Sequence, residues 1–274
     1  MKLLTSEVAY EATIPLAPIS GSYTEPVLFH CYWNGTLNEK HIISIKSCYA
    51  FNVKDRPLNK IILWLENNTP NQWNLEAAKY AEIRQFTLNE EKKDTFLSDT
   101  TLRYNSMLSF YSDVVRYVLL YKYGGCWFDL DCFILRSLDP LFYHYGVCSI
   151  CVYQWEHEQF PNGAIYICLQ PKSESMKQII EFIIQRNRGW GFCEATITYD
   201  LPLNLYVLPC SWFDPSWIKN PYNLCCDDLF KATTKTYTFD SFFKGAFCYH
   251  WHNRWDHTIA PSSIFKQLES LLDV

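Results

Sequence analysis

Short apolar runs alternate with stretches of helical spacing along the first half of the chain. Val27 to Trp33 is almost continuously apolar, as a strand buried on both faces of a mostly parallel sheet should be. Asn34-Gly35 closes it with a turn. Asn38 is placed to cap a helix over Glu39 to Phe51, which carries Ile42, Ile45, Cys48 and Tyr49 at helical intervals. Lys60 to Leu65 reads as a second buried strand, Asn74 to Ala81 as a short helix and Glu82 to Thr87 as a third strand. Asn89 to Thr100 is charged and is expected to be a solvated surface helix or loop. Asn105 to Tyr123 is the longest helical run, ended by Gly124-Gly125, and Cys126 to Phe128 is a short buried strand. Beyond Pro140 the pattern predicts a strand over Cys148 to Tyr153 and a turn from Phe160 into a strand ending at Cys168. A Ser173-capped helix to Gln185 and a strand over Leu205 to Leu208 follow. Then come a Trp- and Pro-rich loop from Pro209 to Leu224, an aromatic segment from Ala246 to Asp256, and a last helix over Ser262 to Leu272. Residues 1–24 form an irregular lead-in. The alternation of strand and helix predicts an α/β fold, Rossmann-like, with a mostly parallel central sheet flanked by helices.

Composition narrows this frame. A chain of 274 residues with 49% hydrophobic and 17% aromatic content has ample core for one large α/β domain or two small ones. A net charge of −5 without a basic cluster argues against nucleic acid as a partner. The N-terminal sequence has no long apolar stretch of the secretory kind, and no run is long enough to span a bilayer. The sequence therefore predicts a cytoplasmic location with at most peripheral membrane contact, and the 12 cysteines are expected to be reduced thiols. Cys148-Ser-Ile-Cys151 with Cys225-Cys226 has zinc-ligand spacing, but the flanking residues read as a buried strand, where cysteine is common.

The chemistry concentrates between Tyr111 and Pro140. Asp129 and Asp131 flank Leu130 at the end of an apolar strand. Two carboxylates forced together repel unless a cation lies between them. A hard divalent ion with oxygen ligands, Mn2+ or Mg2+, satisfies such a pair and commonly bridges to substrate phosphates. The alternative is an ordinary acidic turn. Asp113 and Arg116, three apart, share one side of the preceding helix, which by itself also fits a surface ion pair.

Four short motifs in order carry a resemblance: Ser112-Asp-x-x-Arg-Tyr117, Tyr123-Gly-Gly, Asp129-x-Asp131 and the opening Phe29-His-Cys-Tyr-Trp-Asn-Gly35. Together they resemble the DXD-containing glycosyltransferases of GT-A fold, the family of the Och1-type mannosyltransferases, lactosylceramide α-1,4-galactosyltransferases and capsular polysaccharide glycosyltransferases. Likeness is dense over roughly 27–65 and 105–142 and thinner over 160–190 and 246–255. Cys126-Trp127 stands where Ile-Tyr is usual, and the Gly-Pro motif expected after the 173–185 helix is missing. The resemblance implies a single glycosyltransferase domain over residues 1–274, with a nucleotide-sugar half at about 25–140 and an acceptor half at about 141–274.

It also implies roles. Asp129 and Asp131 would hold Mn2+ or Mg2+ on the donor diphosphate, with His250, or His252 one strand-repeat further on, as a further metal ligand. Hydrogen-bonded histidines of an aromatic cluster are the competing reading of that pair. Trp33 would stack on the nucleobase, unless it is simple core packing. Asp113, Arg116, Tyr117, Gly125 and Leu130 would line the donor site, and Asn162 would sit near the reacting sugar. The donor would be a nucleotide sugar, a UDP-sugar ahead of GDP-mannose, and the acceptor a glycan or lipid-linked glycan. The resemblance implies retention of anomeric configuration. A non-catalytic sugar-binding protein on the same fold is the rival.

Overall fold

The computed structural model describes residues 10–102, 108–147, 150–154, 161–186 and 205–274. Its centre is a seven-stranded sheet ordered β3-β2-β1-β4-β7-β6-β8. The strands are β1 (Leu28–Asn34), β2 (Lys60–Glu66), β3 (Glu82–Gln85), β4 (Gly125–Phe128), β6 (Ile150–Gln154), β7 (Asn162–Cys168) and β8 (Leu205–Pro209). β1 runs parallel to β2 and β4, β2 to β3, and β6 to β8, while β7 lies antiparallel between β4 and β6. A second ribbon pairs β5 (Cys132–Ile134) antiparallel with β9 (Cys248–His250), setting Cys132 opposite His250. The mostly parallel sheet flanked by helices is as the sequence predicts, and the matched elements agree to within a few residues.

Alternation along the strands builds two core layers. Phe29, Cys31, Ile61, Leu63 and Leu65 face one side, where α2 (Glu39–Asn52) packs through Ile42, Ile45 and Cys48. Tyr32, Ile62, Trp64 and Trp127 face the other. That side is covered by α5 (Leu108–Tyr123) through Val115, Val118 and Leu119, and by α7 (Glu174–Arg186) through Met176, Ile179 and Ile180. Each fully buried large side chain is worth about 1.5–3 kcal/mol over exposure. A third cluster joins the β5–β9 ribbon, through Phe133, Tyr249 and Trp251, to Phe265 and Leu268 of the last helix. Nine of the ten described cysteines are buried, and Cys225 is exposed. Cys151 lies inside β6, and Cys148 is outside the described residues.

The short elements complete the chain: α1 (Tyr10–Thr13), α3 (Gln72–Ala77), α4 (Leu88–Lys92), α6 (Asp139–Leu141) and α8 (Ile264–Ser270). Two sequence expectations shift. The Asn71 side chain accepts from the Trp73 amide at 2.8 Å and Asn74 answers at 2.9 Å, so α3 starts at Gln72, ahead of the expected 74–81. The charged stretch after β3 is not wholly solvated. Glu91 and Lys92 are buried, because Glu91 accepts from Tyr123 at 2.8 Å and from Lys122 at 3.2 Å while Lys92 donates to the Thr100 carbonyl. No described helix is long and apolar enough to cross a membrane.

Candidate functional site

Connections from β1 lead through β2 and β3 on one side, and the chain then returns to β4 on the other. In open α/β sheets the crevice at the carboxyl ends of strands beside such a reversal is where ligands bind. Trp33 lies in the last two residues of β1, and Asp129 directly follows β4. The sheet topology alone thus brings residues almost a hundred positions apart to one edge.

The double glycine sets the approach. Gly124, at φ +65°, ends α5 with its amide on the Leu120 carbonyl at 3.0 Å. Gly125, at φ +110°, passes so close to β1 that a Cβ there would stand 2.1 Å from the Leu28 carbonyl oxygen. Gly125 therefore acts on the backbone, letting β4 join β1.

Asp129 and Asp131 go to different partners. Asp129 Oδ1 accepts from Trp127 Nε1 at 2.6 Å and from Arg116 Nη2 at 3.2 Å. Arg116 also donates to Asp113 at 2.8 Å, and Asp113 and Arg116 are both buried. The i,i+3 pair is thus part of an interior ion-pair network, far from an ordinary surface ion pair. Gly163 makes room for it, since a Cβ there would meet Arg116 Nη1 at 2.0 Å. Asn162, at the start of β7, caps the Ala164 amide at 2.7 Å, and the Ala164 carbonyl takes the Asp129 amide at 2.8 Å. Tyr117 is buried edge-on against Tyr166.

Asp131 is the more enclosed carboxylate, its side chain 5% exposed against 26% for Asp129. Its Oδ2 lies 3.2 Å from His250 Nε2 and accepts from the Asn253 amide at 2.7 Å. Burial works against the charged carboxylate, but His250 and the Asn253 amide hold Asp131 below the usual carboxylate range. Burial likewise opposes the imidazolium of His250, yet Asp131, then Asp214, raise it above an ordinary histidine. Leu130 between the acids is pinned through its carbonyl by Ser44 Oγ of α2 at 2.6 Å.

His252 does not continue the strand. β9 ends at His250, and His252 adopts a left-handed turn at φ +49°. The turn folds its ring back over His250 at 3.9 Å, so the two rings meet by stacking and not by strand repeat. His252 Nε2 lies 2.7 Å from Asp214 Oδ2. Among the described residues, two groups of side chains have ligand atoms within 4.8 Å of one another: Asp131, Cys132 and His250, and Asp214, His250 and His252. A buried carboxylate facing an imidazole is a donor set that could hold a divalent cation.

Trp33 is half-buried in an aromatic group, its centroid 4.1 Å from His41 and 4.9 Å from Trp255. His41 accepts the Asn38 amide on Nδ1, and its buried Nε2 has no hydrogen-bond partner among the described residues. Lys40 fastens this corner by donating to the carbonyls of Arg254, Trp255 and His257. Sequence reasoning missed His41, Tyr153, Gly163, Asp214 and Asn253. Their only local signals were the cap position of His41 and a lone acid in the aromatic run Trp212-Phe-Asp-Pro.

Residues 39–147 match the family model described as the glycosyltransferase sugar-binding region containing DXD motif. The Asp113–Arg116–Asp129 network and Asp131 fall within that span. The chain carries a DXD glycosyltransferase region. Within the curated proteins, inositol phosphoceramide mannosyltransferase 3 of Schizosaccharomyces pombe is 58% identical over 52 residues, 19% of this chain and 12% of that protein. Among solved structures, an active-site mutant of LgtC covers 90% of this chain and 96% of its own at 11% identity and a TM-score of 0.49. Mouse xyloside xylosyltransferase 1 covers 85% of this chain and 100% of its own at 12% identity and 0.46.

Proposed function

We propose that this protein is a metal-dependent, retaining glycosyltransferase. It would move a hexose from a nucleotide sugar to a hydroxyl of a glycan or lipid-linked glycan. The observation that carries this reading is the turn after β4, where Asp129 is joined to Asp113–Arg116 and Asp131 to His250 within one DXD segment. Asp131 and His250, with Asp129 beside them, are the residues to hold Mn2+ or Mg2+, and such an ion neutralises charge on a departing nucleoside diphosphate.

The remaining roles belong to the chain itself. Arg116 presents a buried guanidinium beside the diphosphate position, held in place by two carboxylates. Asp113 faces the sugar hydroxyls, Trp33 offers a flat surface to the base, and Asn162 stands near the reacting carbon. Asp129 is tied to Arg116, and Asp131 faces His250 and the Asn253 amide, so neither is placed as a free nucleophile. That favours transfer on one face of the sugar, with the leaving phosphate oxygen taking the acceptor proton. Residues of about 25–140 would serve the donor and those of about 141–274 the acceptor. A UDP-hexose is placed ahead of GDP-mannose as donor; the name of the yeast relative keeps a mannosyl donor and a ceramide-linked acceptor in the panel.

The test incubates the full chain with UDP-glucose, UDP-galactose, UDP-N-acetylglucosamine or GDP-mannose and measures released nucleotide with Mn2+, with Mg2+ and with a chelator. The expected result is metal-dependent hydrolysis of one donor. Asp129→Asn or Asp131→Asn should lower kcat/KM by about 10²–10³-fold, the scale of losing one stabiliser of developing charge. A fully active double Asn variant would sink the site assignment. Tight donor binding without release from any donor would instead favour the non-catalytic binding protein.

A further inference from the structure

We infer that Asp214 is a positioning residue that presents His250 to the divalent cation, and that His252 serves Asp214 and does not bind the ion. This deepens the proposed metal-dependent function and rests on it. Asp214 lies in the loop after β8, where Phe213 and Ser216 are buried too and its own exposure is 0%. Its amide donates to the Cys210 carbonyl at 2.7 Å, and its carbonyl takes the Trp217 amide at 3.2 Å, so the backbone is fixed on both sides of the side chain.

A histidine that binds a metal keeps one ring nitrogen open to the ion and anchors the other on an acceptor, which sets the tautomer and the ring angle. His250 is held that way. Its Nε2 faces Asp131 Oδ2 at 3.2 Å, and its Nδ1 meets the Tyr153 hydroxyl at 3.0 Å and Asp214 Oδ2 at 3.8 Å. His252 has spent its Nε2 on Asp214 at 2.7 Å. Asp214 Oδ2 is thus hydrogen-bonded to His252 and lies in ion-pair range of His250 Nδ1, whose hydrogen bond goes to Tyr153, while the two rings stack at 3.9 Å. A buried carboxylate needs such partners, and here they lock the imidazole that points at Asp131. The sequence offered two histidines for one role, and the geometry points to His250.

The experiment titrates Mn2+ into the full chain by calorimetry and records nitrogen modulation in the electron spin echo of the bound ion. Wild-type protein is compared with Asp214→Asn, His252→Gln, Tyr153→Phe and His250→Gln. Asp214→Asn should weaken Mn2+ by about 10–100-fold, the usual cost of losing an outer-shell partner of a metal-binding histidine. His252→Gln should keep the nitrogen modulation, since a glutamine amide can still donate to Asp214, and His250→Gln should erase it. Loss of modulation in His252→Gln, or wild-type affinity in Asp214→Asn, overturns the inference. If Asp214→Asn does not fold, Asp214→Glu takes its place, and wild-type Mn2+ affinity in that variant overturns the role of Asp214. Wild-type protein that binds no Mn2+ overturns the metal reading of the function itself, whereas wild-type binding with an unchanged Asn variant overturns only the role of Asp214.

Discussion

A methyl group at Gly163 would stand 2.0 Å from Arg116 Nη1. That end of the arginine is flexible in most settings, but here it is tied to Asp113 at 2.8 Å and Asp129 at 3.2 Å. Gly163→Ala should therefore push the guanidinium off its carboxylates while leaving the β7 backbone in place. The expected outcome is a donor KM raised about tenfold, on the scale of one charge-assisted hydrogen bond, with a nearly unchanged melting temperature. An unchanged KM would mean that Arg116 does not act on the donor. At this scale the sequence was legible where spacing is local. Asp113 and Arg116 share a helix face by their separation, and Asp129 and Asp131 follow a strand end. Asp214 was not legible, because its relation to His250 and His252 is made by a loop arriving from elsewhere in the chain, and no periodicity records such a meeting.

Between elements, the join of β1 and β4 is the sensitive point. Gly125 sits at φ +110° with its absent Cβ 2.1 Å from the Leu28 carbonyl oxygen, a fixed backbone atom that cannot swing aside. Gly125→Ala should cost about 2–4 kcal/mol, combining left-handed strain with a forced separation of strands. Urea unfolding followed by circular dichroism would measure it, and a loss under about 0.5 kcal/mol would show that the strands part easily. The strand and helix order was readable because β1 and β2 are apolar on both faces and α2 has a clear cap at Asn38. Boundaries failed where a side chain decided the matter. Asn71 and Asn74 both look like caps, and only their mutual hydrogen bonds place the start of α3. Glu91 and Lys92 look like surface charges until Tyr123 and the Thr100 carbonyl are found beside them.

Across the whole molecule, alternating strands and helices announced a mostly parallel sheet, but not the reversal of β7 between β4 and β6. A buried strand is apolar in either direction, so its sequence cannot tell up from down. The same central sheet ties stability to acidity. His30 of β1 is buried as a neutral ring, donating from Nε2 to the Gly124 carbonyl at 3.0 Å and accepting Trp64 Nε1 on Nδ1 at 3.1 Å. Burial pushes it down to about 4 from 6.5. The unfolded chain takes up that proton near 6.5, the folded chain only near 4. Between those values the unfolded state binds more protons, so stability is complete above the window and falls as pH falls through it. The slope is about 1.4 kcal/mol per pH unit from this one group. Urea midpoints for wild type and His30→Gln across the window should show a shallower decline in the variant. Parallel declines would remove His30 as the cause.

The buried thiols have a practical consequence. Burial pushes Cys168 up to about 12 and Cys226 to about 11, and raises Cys31 and Cys48 well above an ordinary thiol. Thiols held in their protonated form and shut from solvent do not meet alkylating reagents. Cys225 stands apart, exposed on the same segment whose carbonyl accepts the Tyr249 hydroxyl next to His250. With Cys148 and Cys193 replaced by serine, a maleimide dye should mark Cys225 in the folded protein. The other thiols would then react only as the sheet opens, turning the core into its own clock of unfolding.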